Sequence, residues 1–419
     1  MDLTLVLTHD CNLGCGYCYT GAKFRKRMPR ETAMKGLDLA FAPRFGRAPE
    51  EVQLSYFGGE PTLELDLLMD VSREARKRAA ASGTKLVQTV TTNGTLLDRA
   101  KIAALYDEDI YIALSIDGIE AAHDGNRPQM GGTPSFPAVK KCLDLLIEAG
   151  RPFETISVVT PFSARMLGES VRWLFELGVP RVSLNPCYEA AWDDDALAAW
   201  EQGLREAAAS MADWMRRGRT VSISTFDNKV LAALKGGLGC EDKCKLGDGF
   251  AAVSPDGHLY PCERLVAEDD QEALRIGHVD TGIVHQQVKE LRPDVAEDRH
   301  AVNVECQTCT EKFRCSASCA CANKAETGDM QVAGGVQCWH EKTSARIADE
   351  MAEALFAELD PVFLQWFYGR MGVDPELLAQ QIRSGALQIP SLSSAAAAVG
   401  TISRKKVTPE GKRGLPILG

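Results

Sequence analysis

The chain has 419 residues, with 58 acidic side chains against 47 basic ones and a formal net charge of −11. Such an acidic balance disfavours a surface that grips nucleic acid through its phosphates. With 45% hydrophobic and 25% charged residues, the make-up is that of an ordinary globular protein whose core needs no disulfides.

Candidate strands cover 3–8, 52–57, 85–92, 110–116, 154–160 and 181–186, and helical patterns lie between them near 31–42, 64–82, 97–107, 135–149, 163–177 and 194–217. Strands alternating with helices of this length predict βαβ units around a parallel sheet, an α/β fold. Six units suit either an open doubly wound sheet or an incomplete barrel, and periodicity does not separate the two. The pattern changes near 218–240, where Gly-rich sequence opens a region of short segments and cysteines. A helix is predicted over 343–368, ending in an aromatic cluster (Phe363, Trp366, Phe367, Tyr368), and another over 375–384. The expected organisation is 1–220, 221–342, 343–389 and a flexible tail, 390–419, with five basic residues against Glu410.

No signal-peptide pattern follows Met1, and there is no apolar run of about 18 residues. A cytoplasmic protein with no membrane partner is the expectation. In a reducing compartment the 14 cysteines point to metal rather than disulfides. Their distribution is uneven: Cys11, Cys15 and Cys18 follow the first strand, Cys142 and Cys187 stand alone, and nine lie within 240–338. Three thiolates spaced four and three apart can hold a cluster while leaving one iron open, the condition for a catalytic rather than a structural metal site. A zinc site is the alternative.

CNLGCGYC, with Tyr17 before its last cysteine, resembles the signature of the radical S-adenosylmethionine (SAM) superfamily. Further motifs follow in order. Gly58, Gly59, Glu60 and Pro61 resemble the GGEP element that meets the SAM amino group. Asn93 stands after the third strand. Ser115 and Arg127, in LSIDGIEAAHDGNR, resemble the residues that contact the SAM ribose and carboxylate. Leu184 on the sixth strand matches an adenine-packing position. The resemblance implies a partial (β/α)6 barrel that cleaves SAM reductively, so that a 5′-deoxyadenosyl radical takes a hydrogen atom from substrate.

The run Cys306, Cys309, Cys315, Cys319 and then Cys338, preceded by Cys240, Cys244 and Cys262, resembles a SPASM domain holding two auxiliary 4Fe–4S clusters, three clusters in all. By that resemblance Cys240, Cys244, Cys262 and Cys319 hold the first auxiliary cluster, and Cys306, Cys309, Cys315 and Cys338 the second. The Cys240–Cys244 spacing departs from the sulfatase-maturase pattern, and Cys321 could substitute for Cys319. Glu263, in LYPCER, occupies the place of a catalytic aspartate in those maturases; it acts as a base there or pairs with Arg264 or a lysine. His9 and His123 flank motifs without an evident partner, and a catalytic Cys187 is the lesser reading beside an inert thiol.

The favoured function is crosslinking (thioether, ether or carbon–carbon) of a ribosomally made peptide. The alternatives are formylglycine formation in a sulfatase, dehydrogenation of a small molecule and a zinc-binding scaffold. The implied partners are a peptide or protein substrate and a flavodoxin- or ferredoxin-type electron donor. Because the first strand starts at once, any leader-binding domain is expected to be a separate protein or unnecessary.

Overall fold

Six apolar, β-branched runs become parallel strands: β1 (Asp2–Val6), β2 (Glu51–Phe57), β3 (Lys85–Thr92), β4 (Ile110–Ser115), β5 (Phe153–Val159) and β6 (Arg181–Pro186). The computed structural model describes residues 1–43, 46–239, 242, 244, 246–291, 303–315 and 319–387. Helices α1 (Arg30–Ala40), α2 (Leu65–Ser82), α3 (Arg99–Asp107), α4 (Glu120–Asn126), α5 (Phe136–Ala149), α6 (Leu167–Leu177) and α7 (Asp194–Arg216) connect or follow them.

Strand order rises from β1 to β6 without reversal, and a short seventh strand, β7 (Ser222–Ile223), continues it beside β6. Right-handed crossovers then set the connecting helices on one face, whereas a doubly wound sheet reverses order at a switch point. This decides the open choice in favour of the incomplete barrel. In α6, Leu167, Val171, Leu174 and Phe175 are buried at helical spacing, each such side chain contributing roughly 1.5–3 kcal/mol. In the sheet, Leu3, Leu5, Leu54, Tyr56, Ile112 and Leu114 are at most 1% exposed.

Beyond the barrel the sheet continues. Strand β8 (Phe250–Val253) pairs in parallel with the outer edge of β1, Leu3 opposite Ala251. Strands β9 (His258–Tyr260), β10 (Gly277–His278) and β11 (Gly282–Ile283) extend it antiparallel. The described strands thus form one eleven-stranded sheet.

Two helices differ from expectation. Helix α8 (Ser224–Lys235) was not predicted: Phe226, Asp227, Lys229, Val230, Leu231, Ala232 and Ala233 are all buried, so no polar stripe marks the helical period. The helix expected over 343–368 instead spans Gly335–Ala357, taking in Cys338 to Lys342. A new turn begins at Pro361, with Asp360 capping the Phe363 amide at 2.8 Å. The helix expected over 375–384 spans Pro375–Arg383. The tail 390–419 and Cys240 lie outside the described residues. No described helix is long and apolar enough to cross a membrane.

Candidate active site

Strands β1 to β6 end at one edge of the sheet, where ligands bind in α/β folds, and the loops leaving that edge carry the motifs. Cys11, Cys15 and Cys18 are half-buried on the loop after β1. The Leu13 amide donates to Cys11 Sγ (3.4 Å). Lys23 Nζ and Thr20 Oγ1 lie 2.9 and 3.2 Å from Cys18 Sγ. Burial pushes Cys11 up to about 12 and also raises Cys15. Burial opposes the Cys18 thiolate too, yet Lys23 and Thr20 outweigh it and lower that thiol. Nothing in the sequence pattern marks Lys23.

The loop after β2 lies directly against this one. The Gly59 amide donates to the Thr8 carbonyl (2.8 Å) and the Glu60 amide to that of Asp10 (2.9 Å). A Cβ on Gly58, whose φ is +137°, would overlap the Thr8 carbonyl oxygen, and one on Gly59 would overlap that of Asp10. Only glycine allows this approach.

Glu60, 1% exposed, points inward. Its carboxylate accepts from the Thr62 amide (3.0 Å) and hydroxyl (2.5 Å), the Thr92 hydroxyl (2.7 Å) and the Asn93 amide (2.7 Å). Burial raises its pKa against these bonds. This side chain therefore ties the β2 and β3 loops together. Asn93 in turn donates to Asn12 Oδ1 (2.9 Å) on the cysteine loop. Glu60→Ala is expected to lower stability by several kcal/mol, since each buried donor left unmet costs roughly 1–3 kcal/mol. An unchanged urea midpoint would show that the donors find other acceptors.

The loop after β4 is organised by Asp117, which the motif reading passed over although it is the acid of SIDG. Tyr17 Oη donates to Asp117 Oδ2 (2.7 Å), as does Asn126 Nδ2 (3.2 Å). Arg127 Nε and the Val158 amide donate to Oδ1 (3.0 and 2.9 Å). Arg127 also lies 5.2 Å from the centre of the Tyr17 ring. Burial works against the Arg127 charge, but Asp117 more than offsets it and holds the guanidinium firmly protonated. His123, which looked partnerless, has Nδ1 3.3 Å from the Asp117 amide and Nε2 3.0 Å from Ser135 Oγ. His9 stacks on Phe24 at 4.6 Å. Ser115 ends β4, mostly buried, and Leu184 is a core residue at 5% exposure.

The C-terminal cysteines gather in two places. Cys244, Cys262 and Cys319 pack on an apolar nest that includes Leu246, Leu265, Val266 and the buried Cys321. The Cys262 thiol is pushed well up, first by its bond to the Cys321 sulfur and then by burial. Cys306, Cys309, Cys315 and Cys338 line one pocket with Lys312, Gln337, Glu341 and Lys342. Among the described residues, no three His, Cys, Asp or Glu side chains are grouped for a single metal ion.

The Cys262 thiol lies 3.6 Å from Glu263 Oε2. Arg264, offered above as a partner for Glu263, pairs instead with Glu189 (3.4 Å) and covers the Tyr19 ring at 4.8 Å. The Tyr19 hydroxyl, raised first by burial, feels Glu263, Arg264, Cys262 and Cys18. Tyr19 therefore stands between the N-terminal thiols and the first C-terminal group. Cys187 is buried behind Glu189, its Sγ 3.7 Å from Oε2.

Residues 5–174 match the model of the Radical SAM superfamily. A serine-type anaerobic sulfatase-maturating enzyme of Klebsiella aerogenes is 25% identical over 338 residues, 78% of this chain and 80% of that protein. The solved structure of native anSMEcpe with bound AdoMet and Cp18Cys peptide superposes with a TM-score of 0.68 at 21% identity, covering 87% of this chain and 99% of that one. Streptococcus suis SuiB bound to precursor peptide SuiA gives 0.55 at 16% identity, covering 80% and 75%. Residues 5–174 are therefore a radical SAM domain, the domain of a superfamily of enzymes, and a cysteine-rich C-terminal region follows it.

Proposed function

We propose that the chain is a maturase that oxidises a side chain of a peptide or protein substrate. The carrying observation is the extent of likeness to anSMEcpe, which reaches through the cysteine-rich region to 99% of that chain. The three loop thiols Cys11, Cys15 and Cys18 suit a four-iron cluster that keeps one iron for an exchangeable ligand. When bound, that cluster and SAM supply the radical that removes a hydrogen atom from the substrate.

This chain's own residues supply orientation. The backbone at Gly58 and Gly59 meets the methionine end of SAM, and Arg127, charged and fixed by Asp117, takes its carboxylate, as a guanidinium can with two parallel bonds. Ser115 meets the ribose, and Leu184 closes the adenine side. Cysteines 306, 309, 315 and 338 and the group around Cys262 would hold two auxiliary clusters, which would supply an acceptor for the second electron. Glu263, beside Cys262, takes the proton released as the substrate carbon is oxidised. A flavodoxin- or ferredoxin-type protein supplies the reducing electron.

Two products follow from this site. Oxidation of Cys or Ser to formylglycine is favoured by the likeness to sulfatase-maturating enzymes over most of their length. An intrapeptide crosslink is the second reading, supported by the likeness to SuiB. Mass spectrometry separates them: formylglycine is an aldehyde that a hydrazide traps, whereas a crosslink loses two hydrogens and is inert to hydrazide.

Glu263→Gln should leave formation of 5′-deoxyadenosine intact and lower product at least tenfold, within the range of a lost general base. Product unchanged from the wild type would remove Glu263 from the chemistry. Neither product from sulfatase-type or Cys-rich peptides, with SAM cleavage intact, would turn the assignment toward a small-molecule substrate.

A further inference from the structure

Five cysteines compete for the first auxiliary site; Cys240 lies outside the described residues, and the structure brings the other four together. Cys319 caps the helix Ala320–Thr327, so Cys321 is its second residue. At that position the side chain turns inward, and Cys321 is 4% exposed. It enters the same apolar nest on which Cys244, Cys262 and Cys319 pack. Its thiol is hydrogen-bonded to that of Cys262 and lies within electrostatic reach of Cys319 and Cys244. Cys319 itself is next to Cys244 and Cys262 and accepts from the Ala322 amide.

Burial alone does not make a ligand, and Cys142 shows the contrast. It is fully buried among the aliphatic side chains of the barrel core, whereas Cys321 is buried against other thiols. The first turn of a helix also favours anionic sulfur, since its amides lack acceptors within the helix. The four thiols come from three segments of the chain: Cys262 follows β9, Cys319 and Cys321 open a helix, and Cys244 precedes the buried Leu246.

We propose that Cys244, Cys262, Cys319 and Cys321 are the ligands of the first auxiliary cluster, and that Cys240 is not required. This rests on the reading above that the region holds iron–sulfur clusters. It replaces the ligand set drawn from sequence resemblance, in which Cys240 stood and Cys321 was spare.

The test uses the full-length chain, reconstituted anaerobically with iron and sulfide, with Cys240→Ser, Cys321→Ser and, as a buried-thiol control, Cys142→Ser. Iron and sulfide per chain and the electron paramagnetic resonance of oxidised and reduced protein are the readouts. The expected result is wild-type content for Cys240→Ser and Cys142→Ser. Cys321→Ser should lose up to about four irons, or convert one cluster to a three-iron form. Full content in Cys321→Ser, or loss of a cluster in Cys240→Ser, overturns the assignment.

Should Cys321→Ser fail to fold, the wild type still decides. Cys240 must be alkylated by iodoacetamide as readily in the loaded protein as in the apoprotein, and its protection on loading overturns the proposal. Wild-type protein that takes up zinc and no iron would instead sink the reading of the region as a cluster domain.

Discussion

Replacing Cys11, Cys15 and Cys18 together by Ala is expected to abolish 5′-deoxyadenosine formation while the chain stays folded. The three thiols are half-buried on a loop outside the barrel core, so their removal takes little packing with it. The loop is also anchored independently, through the Gly59 and Glu60 amides and through Asn93 to Asn12. What disappears is every protein thiolate proposed to hold the SAM-cleaving cluster. Anaerobic reconstitution should then give about four fewer irons per chain than the wild type. Chromatography of the reaction mixture should show no 5′-deoxyadenosine above a protein-free control. Continued cleavage of SAM, or an unchanged iron content, would refute the assignment of these cysteines.

The second large effect is expected at Asp117. It accepts from four donors, and its side chain is completely buried, with that of Arg127 only 8% exposed. Breaking one partner of a buried ion pair leaves the other charge uncompensated, at roughly 3–5 kcal/mol. Asp117→Asn keeps the shape but turns an amide NH2 toward groups that are themselves donors, so it should lose most of that amount in urea denaturation. The double variant Asp117→Asn, Arg127→Met should recover part of the loss, because no unpaired charge remains. Its SAM binding should stay weak nonetheless, since the guanidinium proposed to hold the SAM carboxylate is gone. Additive stability losses across the cycle would mean that Asp117 and Arg127 are not coupled.

The strands were legible because their signals are local. Runs such as VQLSYF and IYIALS carry the β-branched and aromatic residues of a buried sheet, and β2 and β4 lie within a residue of where those runs place them. The motif loops were legible for a similar reason, since Cys11–Cys18 and Gly58–Pro61 are contiguous.

What could not be read depends on distant partners. Tyr17 meets Asp117 across 100 positions, and β1 meets β8 across more than 240, neither with any marker in the flanking sequence. Glu60 was read as facing a ligand because its neighbours in sequence do, yet its carboxylate bonds to Thr92 and Asn93 on the next loop. Cys321 looked spare because ligand spacing was counted along the chain; its inward turn depends on where a helix begins.

The pairing of β8 along the free edge of β1 bears on how firmly the two cysteine regions are held relative to each other. The loop with Cys11, Cys15 and Cys18 grows out of β1, and Cys262 follows β9, two strands away in the same sheet. Neighbouring strands are about 4.8 Å apart, and β9 runs against β8 and β1, with Tyr260 opposite Ala252 and Ala252 opposite Thr4, so the two regions leave in opposite directions from strands roughly 10 Å apart, held by a ladder of backbone hydrogen bonds. No hinge separates them along that ladder. The separation of the two strands that carry these regions is therefore set by the sheet, and a bound substrate would have to fit that spacing rather than adjust it.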